Sequence, residues 1–269
     1  MVDRRSRAGV VDRAFAVLGA FGDRHRALPL STIARRAGLP VNTTLRIARD
    51  LVRLGALERR EDGTYVVGLR LFEIAALAPR SHGLRRVAMP YLEDLHAVTE
   101  EHVLLSVRED DEAVLVERLS ARGAGHVRYR VGGRMPLVRT GGGLVLLAHA
   151  PTGLQEAAIA TADTDGTAPL GATGGAPGGE LRRRLAAIRR EHVLVAAEPP
   201  PAEPPRPERA PAVRPAPMAT VAAPVTGTDG SVVAAVSVVR PAGPETAAAL
   251  VPVVRTTARA ISRALARGG

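Results

Sequence analysis

The sequence predicts an α+β protein of two domains: a small helical domain that ends in a β-hairpin, then a larger mixed α/β domain, joined by a short helix. Its 269 residues suffice for two domains of ordinary size. Apolar residues recur at helical spacing in the first third of the chain, whereas strand-like runs alternate with amphipathic helices in the remainder. These patterns place the small domain at residues 8–68, the joining helix at 69–83 and the large domain at 84–267.

Three short helices are predicted close together near the start of the chain. Periodic apolar residues favour a first helix over Arg13–Phe21. Ser31 is a candidate N-cap for a second helix, and Gly38 supplies a sharp turn before a third helix that begins at Asn42. A helix, a tight turn and a second helix is the arrangement that places a helix in the major groove of DNA.

The third predicted helix has one apolar face and one basic face. Its inward positions recur at i, i+4 and i+7: Ile47, Leu51 and Leu54. Its outward stripe recurs at i, i+4, i+7 and i+11: Asn42, Arg46, Arg49 and Arg53. A solvated charged face is the ordinary explanation of such a stripe, but the preceding helix, the glycine turn and the hairpin that follows favour DNA recognition.

A hairpin and a short helix follow the basic stripe. Ala56–Arg60 and Thr64–Gly68 are predicted strands around a Glu-Asp-Gly turn, which completes a winged helix-turn-helix. Arg59 and Arg60 lie where a wing contacts the DNA backbone or minor groove, although an ordinary charged strand end is the alternative. Leu69–Ala78 is predicted to be an apolar linker helix that packs on a partner.

The charge distribution favours the same partner, double-stranded DNA. The formal net charge is +10, and residues 1–80 hold 15 arginines against 8 acidic residues. Residues expected to lie at base edges or beside them are Asn42, Thr43, Thr44, Leu45, Arg46 and Arg49. Residues expected to position the DNA backbone are Ser31, Thr32, Arg35, Arg59 and Arg60.

The larger domain is predicted to combine two β-hairpins with several helices. The predicted helices are Leu84–Thr99, Leu144–Ala148, Leu181–Arg190 and Glu245–Ala266. The predicted strands are His102–Val107, Ala113–Leu119, Val193–Ala197, Thr220–Val225 and Val232–Val239. Two segments, Ala160–Gly179 and the proline-rich Pro199–Pro217, are predicted to lack packed structure.

The composition excludes much catalytic chemistry. All 37 basic residues are arginines and there is no cysteine, so there is no Schiff-base lysine, thiol nucleophile, disulfide or cysteine-ligated metal. No catalytic residue, metal or cofactor is therefore expected. A rival enzyme hypothesis has candidates for acid–base work, for example Glu117 near Arg118, or His102 beside Glu101. No apolar run would span a membrane and the first residues lack a signal-peptide core, so a cytoplasmic protein without membrane partners is expected.

Several segments together resemble the IclR family of bacterial transcriptional regulators. They are Ala14–Leu18, Leu30–Pro40, Leu51–Leu57, Tyr65–Leu71, Met135–Leu137, Leu146–Ala148, Val221–Val225 and Ala234–Val238. The resemblance implies a winged helix-turn-helix, a linker helix and a GAF-like effector-binding domain. It also implies homodimers or homotetramers on palindromic DNA, tuned by a small organic-acid or aromatic metabolite, and in many members repression.

The resemblance also implies an effector site. The matching positions are Thr140, Gly141, Gly142, Gly143, Glu198, Thr220 and Ser237. Two departures bear on that site: Leu144 stands where the family commonly has lysine, and Pro199–Pro217 replaces a compact loop. Three alternatives therefore stay open: a constitutive regulator whose effector pocket does not function, an enzyme with a DNA-binding appendage, and an adaptor whose winged helix contacts protein.

Overall fold

The computed structural model describes residues 9–22, 25–78, 83–120, 129–172, 175–198, 218–241 and 247–267, apart from the side chain of Glu198. It divides between residues 82 and 83 into two compact units. The predicted proline-rich segment Pro199–Pro217 and the end of the predicted linker, residues 79–82, lie outside the described residues.

The first unit is a winged helix-turn-helix, as the sequence predicts. Its helices are α1 (Val10–Leu18), α2 (Leu30–Ala37), α3 (Val41–Arg53) and α4 (Leu69–Ala75). Its strands are β1 (Ala27–Leu28), β2 (Leu57–Arg59) and β3 (Tyr65–Val67), which form an antiparallel sheet in the order β1-β3-β2. Val17, Ile33, Ala48 and Leu57 are almost completely buried, so α1, α2, α3 and the sheet share one core.

Several local predictions in this unit need correction. The first helix runs from Val10 to Leu18 rather than from Arg13 to Phe21. Pro29 holds the N-cap position of α2 in an extended conformation, so Ser31 lies inside the helix and is not the cap. Leu54 follows the last turn of α3 and is 59% exposed, because the helix ends at Arg53 and its inward face ends with it. Gly38 does terminate α2, with a left-handed φ of 65°.

The second unit is built on a six-stranded antiparallel sheet in the order β6-β5-β4-β9-β8-β7. The strands are β4 (His102–Glu109), β5 (Glu112–Leu119), β6 (Arg134–Pro136), β7 (Leu194–Glu198), β8 (Met218–Thr226) and β9 (Val232–Pro241). The helices are α5 (Leu84–Thr99), α6 (Gly141–Ala148), α7 (Thr152–Asp165), α8 (Pro177–Glu191) and α9 (Val251–Arg267).

Alternating side chains of the sheet build two separate cores. One core joins α6, α7 and α8 to residues such as Leu104, Ala222 and Ala235. The other joins α5 and α9 to residues such as Leu105 and Val221 on the opposite face. Because successive side chains of a strand point to opposite faces, the sheet separates these two helical layers.

Two helices of this unit extend into a segment predicted to be unpacked. Helix α7 continues to Asp165 and α8 begins at Pro177, although both lie partly within Ala160–Gly179. The backbone N–H of Gly178 donates to the Asp163 carboxylate over 2.7 Å, which ties the start of α8 to α7. The glycine run before residue 144 is also helical, because α6 starts at Gly141.

Candidate nucleic-acid interface and ligand site

Helix α3 presents unpaired arginines to solvent. Arg46 and Arg49 are exposed, and neither has an ion-pair partner or a side-chain hydrogen bond among the residues that the structure describes. Asn42 is exposed one turn earlier on the same face. Arg53 differs, because it pairs with Asp50 over 3.1 Å. The free guanidinium groups of Arg46 and Arg49 have the geometry and charge to bond guanine or phosphate.

Thr44 does not belong to this surface, which corrects its place among the predicted DNA-binding residues. Its side chain is fully buried and its hydroxyl donates to the Pro40 carbonyl over 3.1 Å. The spacing of Thr44 with Ile47 and Leu51, at i, i+3 and i+7, is that of the inward face. Thr43 and Leu45, on either side, are half-buried and border the exposed stripe.

The start of α2 offers smaller contributions to the same surface. Ser31 and Arg35 are exposed and Thr32 is half-buried, so these three side chains are accessible to a phosphate backbone. Arg36, which the sequence analysis did not single out, donates from Nε to the Ala20 carbonyl over 2.6 Å. That bond fixes α2 against the end of α1 within the unit.

The wing carries two exposed arginines on a well-anchored turn. The guanidinium of Arg59 lies 5.9 Å from the centre of the Tyr65 ring, within cation–π range. At the tip, Thr64 donates to the Asp62 carboxylate from its hydroxyl and from its backbone N–H, over 2.6 and 2.9 Å. These hydrogen bonds lower the pKa of Asp62, with a smaller contribution from Arg60. The wing therefore holds Arg59 and Arg60 outward on a turn that is itself stabilised.

In the second unit, the three glycines of the implied effector site, Gly141, Gly142 and Gly143, begin a completely buried helix. Thr140 is the N-cap of α6, and its hydroxyl accepts from the backbone N–H of Gly143 over 3.1 Å. A Cβ added at Gly141 would lie 2.6 Å from Oγ1 of Thr220, and one added at Gly143 would lie 2.5 Å from the Leu137 carbonyl oxygen. Only glycine allows this helix N-terminus to approach the sheet so closely.

Buried hydroxyl groups of the sheet face that helix. Thr220 on β8 and Ser237 on β9 are 1% and 4% exposed, and they lie on the α6 side of the sheet. Ser106 on β4 is a third such residue, which the sequence analysis missed: a Cβ at Gly142 would lie 3.4 Å from its Oγ. Ser106 lies two residues after Leu104 on the same strand, so both side chains point to the α6 face. That spacing could have predicted the position of Ser106.

One of these hydroxyls has no partner among the described residues. Oγ1 of Thr220 is buried and makes no hydrogen bond to any group in the described part of the chain. Glu198 ends β7 opposite Met218 in the backbone register. Leu144, at the position where the family commonly has lysine, is fully buried in the apolar core. The site therefore combines a helix N-terminus with buried hydroxyl groups, and an apolar residue follows its three glycines.

The acidic residues considered for an enzyme are tied to arginines. Glu117 pairs with Arg85 and also accepts from the backbone N–H of Arg118 over 2.8 Å. Glu101 pairs with Arg240 over 3.2 Å. Burial raises the pKa of Glu101, and Arg240 opposes that rise. Both glutamates thus serve as partners in the packing of the second unit.

Neither a metal-binding cluster nor a membrane-spanning helix is present among the described residues. No group of three or more histidine, aspartate or glutamate side chains there could hold a metal ion. None of the helices in the described ranges combines the length and the apolar character that crossing a bilayer requires.

Two models of known protein families match this chain, one in its N-terminal part and one in its C-terminal part. The family model described as the IclR helix-turn-helix domain matches residues 10–61, and that for the C-terminal part of the bacterial transcriptional regulator IclR matches residues 76–198. A crystal structure of an IclR homologue from Microbacterium hydrocarbonoxydans, complexed with 4-hydroxybenzoate, is 31% identical. It aligns with 97% of this chain and 100% of its own, at a TM-score of 0.81. The chain belongs to the IclR family of bacterial transcriptional regulators.

Curated relatives in the IclR family match over shorter stretches. The transcriptional regulator KipR of Bacillus subtilis is 30% identical over 111 residues, which is 41% of this chain and 44% of KipR. The transcriptional repressor AllR of Escherichia coli K12 is 26% identical over 141 residues, which is 52% of each chain. The alignments thus span about half the length of these relatives.

Proposed function

We propose that this IclR-family protein is a sequence-specific DNA-binding repressor whose recognition helix is α3. The observation that carries the proposal is that Arg46 and Arg49 are exposed on the helix after the Gly38 turn and form no ion pair with any described residue. Arg46 and Arg49 would bond base edges, with Asn42 at the entry of the helix. Arg59 and Arg60 on the wing would bond the phosphate backbone. The relative AllR is named as a repressor, which supports repression rather than activation.

The proposed assembly is a homodimer or homotetramer on a palindromic operator. A helix-turn-helix unit reads only a half-site, and two-fold symmetry of the protein matches a palindrome in the DNA. A regulator of this kind acts where the bacterial chromosome lies, in the cytoplasm.

The proposed effector is a small organic acid or aromatic acid bound at the N-terminus of α6. A carboxylate is stabilised by helix N-terminal N–H groups, and the buried Thr220 hydroxyl supplies a further polar partner. The buried Leu144, where the family commonly has lysine, favours an aromatic ring over a strongly polar ligand. The 4-hydroxybenzoate complex of the Microbacterium homologue makes that acid the first ligand to try.

Selection of genomic DNA fragments by the purified full-length protein, followed by sequencing, tests the DNA-binding proposal. A palindromic motif upstream of an operon is expected. In fluorescence anisotropy titrations with that motif, Arg46→Ala should lose about 1–3 kcal/mol of binding free energy. Arg182→Ala is the matched control, because Arg182 is an exposed arginine on α8 whose pair with Glu156 is also exposed. Equal affinities of the two variants would contradict the assignment of α3.

The same titration with 4-hydroxybenzoate separates a regulated protein from a constitutive one. Weaker operator binding as the acid is added supports the effector site, whereas unchanged binding with this and other small acids favours a constitutive regulator. An enzymatic role has less support, since Glu117 and Glu101 are already paired with arginines.

A further inference from the structure

The second unit contains a cavity, partly open to solvent, on the face of the sheet opposite α6. It has a volume of about 390 Å³ and lies between β8 and α9. Its walls include Ala223 and Ala258, which belong to the core of α5 and α9, not to the core of α6. The sheet therefore separates this cavity from the proposed effector site.

The chemistry of the cavity is strongly cationic. Arg255, Arg259 and Arg263 line it from α9, and His192 lines it at the end of α8. None of the three arginines has an ion pair or a side-chain hydrogen bond with any residue that the structure describes. No acidic residue is among the described residues that line the cavity. Three like charges on one wall repel one another, and an anion between them would relieve that repulsion.

The spacing of the arginines favours an anion that carries two charged groups. They follow one another at i, i+4 and i+8 on one face of α9, so neighbouring Cα atoms rise about 6 Å along the helix axis. A monovalent anion engages one guanidinium well, whereas a molecule with two anionic groups a few ångströms apart engages two. Small-molecule sites generally have volumes of roughly 300–1,000 Å³, so a compact metabolite fits here better than a macromolecule.

The wall that carries the arginines is fixed to the sheet. Ser262 lies on α9 and lines the cavity, and its hydroxyl accepts from the backbone N–H of Thr226 over 2.9 Å. The same hydroxyl donates to the Ala258 carbonyl over 2.8 Å. These bonds hold the distance between β8 and α9, so the backbone of the site is preorganised and little ordering is needed when an anion enters.

We propose that this cavity is a second small-molecule site that binds a multivalent organic anion, such as a di- or tricarboxylate or a sugar bisphosphate. His192 also links the site to the helix beneath the proposed effector pocket. Its ring stacks on that of His149, with ring centres 6.4 Å apart. Nδ1 of His149 in turn lies 2.9 Å from the carbonyl oxygen of Val145 on α6. An anion that draws in His192 thus acts on the C-terminal end of the helix whose N-terminal end forms the other site.

Isothermal titration calorimetry of the full-length protein at low salt tests the proposal. Citrate and fructose 1,6-bisphosphate are the two-ended probes, and acetate and inorganic phosphate are the one-ended probes. Both two-ended probes should bind at least about tenfold more tightly than acetate, since each additional charge-assisted bond to arginine adds affinity. Arg259→Gln with Arg263→Gln removes two exposed cavity arginines and should weaken citrate binding by about tenfold or more.

The matched control is Arg182→Gln with Arg190→Gln, which removes two exposed arginines of α8 in the same unit. It should change citrate affinity less than twofold. Thr220→Val should also leave citrate binding unchanged, so the two sites can fail independently. Failure to bind any two-ended probe, equal losses in both double variants, or loss of citrate binding in Thr220→Val would each overturn the proposal.

Two further results would assign the arginines elsewhere. If Arg259→Gln with Arg263→Gln lowers affinity for the operator as Arg46→Ala does, the arginines of α9 belong to a DNA surface. If the double variant changes the mass measured by analytical ultracentrifugation without added anion, the cavity is an interface between copies of the chain. Unchanged operator affinity and unchanged mass, together with weaker citrate binding, are expected.

Discussion

Helices α3 and α6 form the two candidate sites of this protein in opposite ways. On α3 the proposed contact groups are arginine side chains in solvent, and the buried face of the helix holds it in place. On α6 all eight residues are buried, and the proposed contact groups are backbone N–H groups and neighbouring hydroxyls. At α3, the side chains proposed to bind DNA are therefore different from those that hold the helix in the fold. At α6, the groups proposed to bind the effector are also packed in the core.

The largest expected effect tests this separation at α3. Arg46→Ala combined with Arg49→Ala should lower operator affinity by about 2–6 kcal/mol, which is two base contacts of about 1–3 kcal/mol each. Differential scanning calorimetry should show an unchanged unfolding temperature, because both side chains are exposed and unpaired. A large fall in unfolding temperature would mean that binding and folding are not separate here.

At α6 a single methyl group should change stability. Gly141→Ala places a Cβ 2.6 Å from the Thr220 hydroxyl oxygen and should destabilise the protein by about 1–3 kcal/mol through overpacking. Gly153→Ala is the control, because a Cβ there meets no atom within 4 Å in the described part of the chain and lies in helix α7. Calorimetry that found the two variants equally stable would contradict the close packing of α6 on β8.

Thr220→Val should move stability and binding in opposite directions. Replacing a buried hydroxyl that has no partner by a methyl group should raise the free energy of unfolding by about 1 kcal/mol. The same change should weaken binding of the acid that proves to be the effector. Chemical unfolding and ligand titration measure the two effects, with the exposed Thr161→Val as control. A variant that is destabilised yet binds normally would show that the hydroxyl has a structural partner instead.

The smallest expected effect concerns the wing. Arg59→Ala should weaken operator and random DNA alike and should reduce the slope of log affinity against log salt by about one. Glu58→Gln, on the same strand, is a control for altered charge at an exposed wing residue. A slope that Arg59→Ala leaves unaltered would argue against a phosphate contact at the wing.

The sequence predicted α3 well because its two faces differ in hydropathy over a full helix. Two positions of this helix were predicted wrongly. Leu54 was assigned inward although the helix ends one residue earlier, and Thr44 was placed among the DNA-binding residues although it shares the buried phase of Ile47. The polar character of a residue does not by itself show that it is exposed, and the exact end of a helix is hard to predict from sequence.

The second unit was harder to predict, because tertiary packing there overrides local preference. Three successive glycines favour a turn by propensity, yet they begin α6, where a Cβ at Gly141 would collide with Thr220 of β8 and one at Gly143 with the Leu137 carbonyl oxygen. Helix α7 was not predicted, and its last residues lie in a segment rich in glycine, threonine and alanine. The two-residue strand β1 is too short to produce an alternating pattern.

Arginine content alone also fails to distinguish a binding surface from a structural one. Helix α8 has five arginines against three on α3, but Arg182 pairs with Glu156, and Arg183 and Arg184 both bond to Glu180. The hydrogen bonds from these last two arginines lower the pKa of Glu180. Only the three-dimensional pairing shows which guanidinium groups remain available.

The contact of Arg59 with Tyr65 gives the wing an optical property of its own. The chain has no tryptophan and only three tyrosines, so its intrinsic ultraviolet emission comes from very few rings. Tyr65 is 4% exposed and lies beneath the arginine proposed to bond phosphate. Engagement of Arg59 by DNA would change the electric field at that ring, and the protein would report contact at its wing without an attached dye.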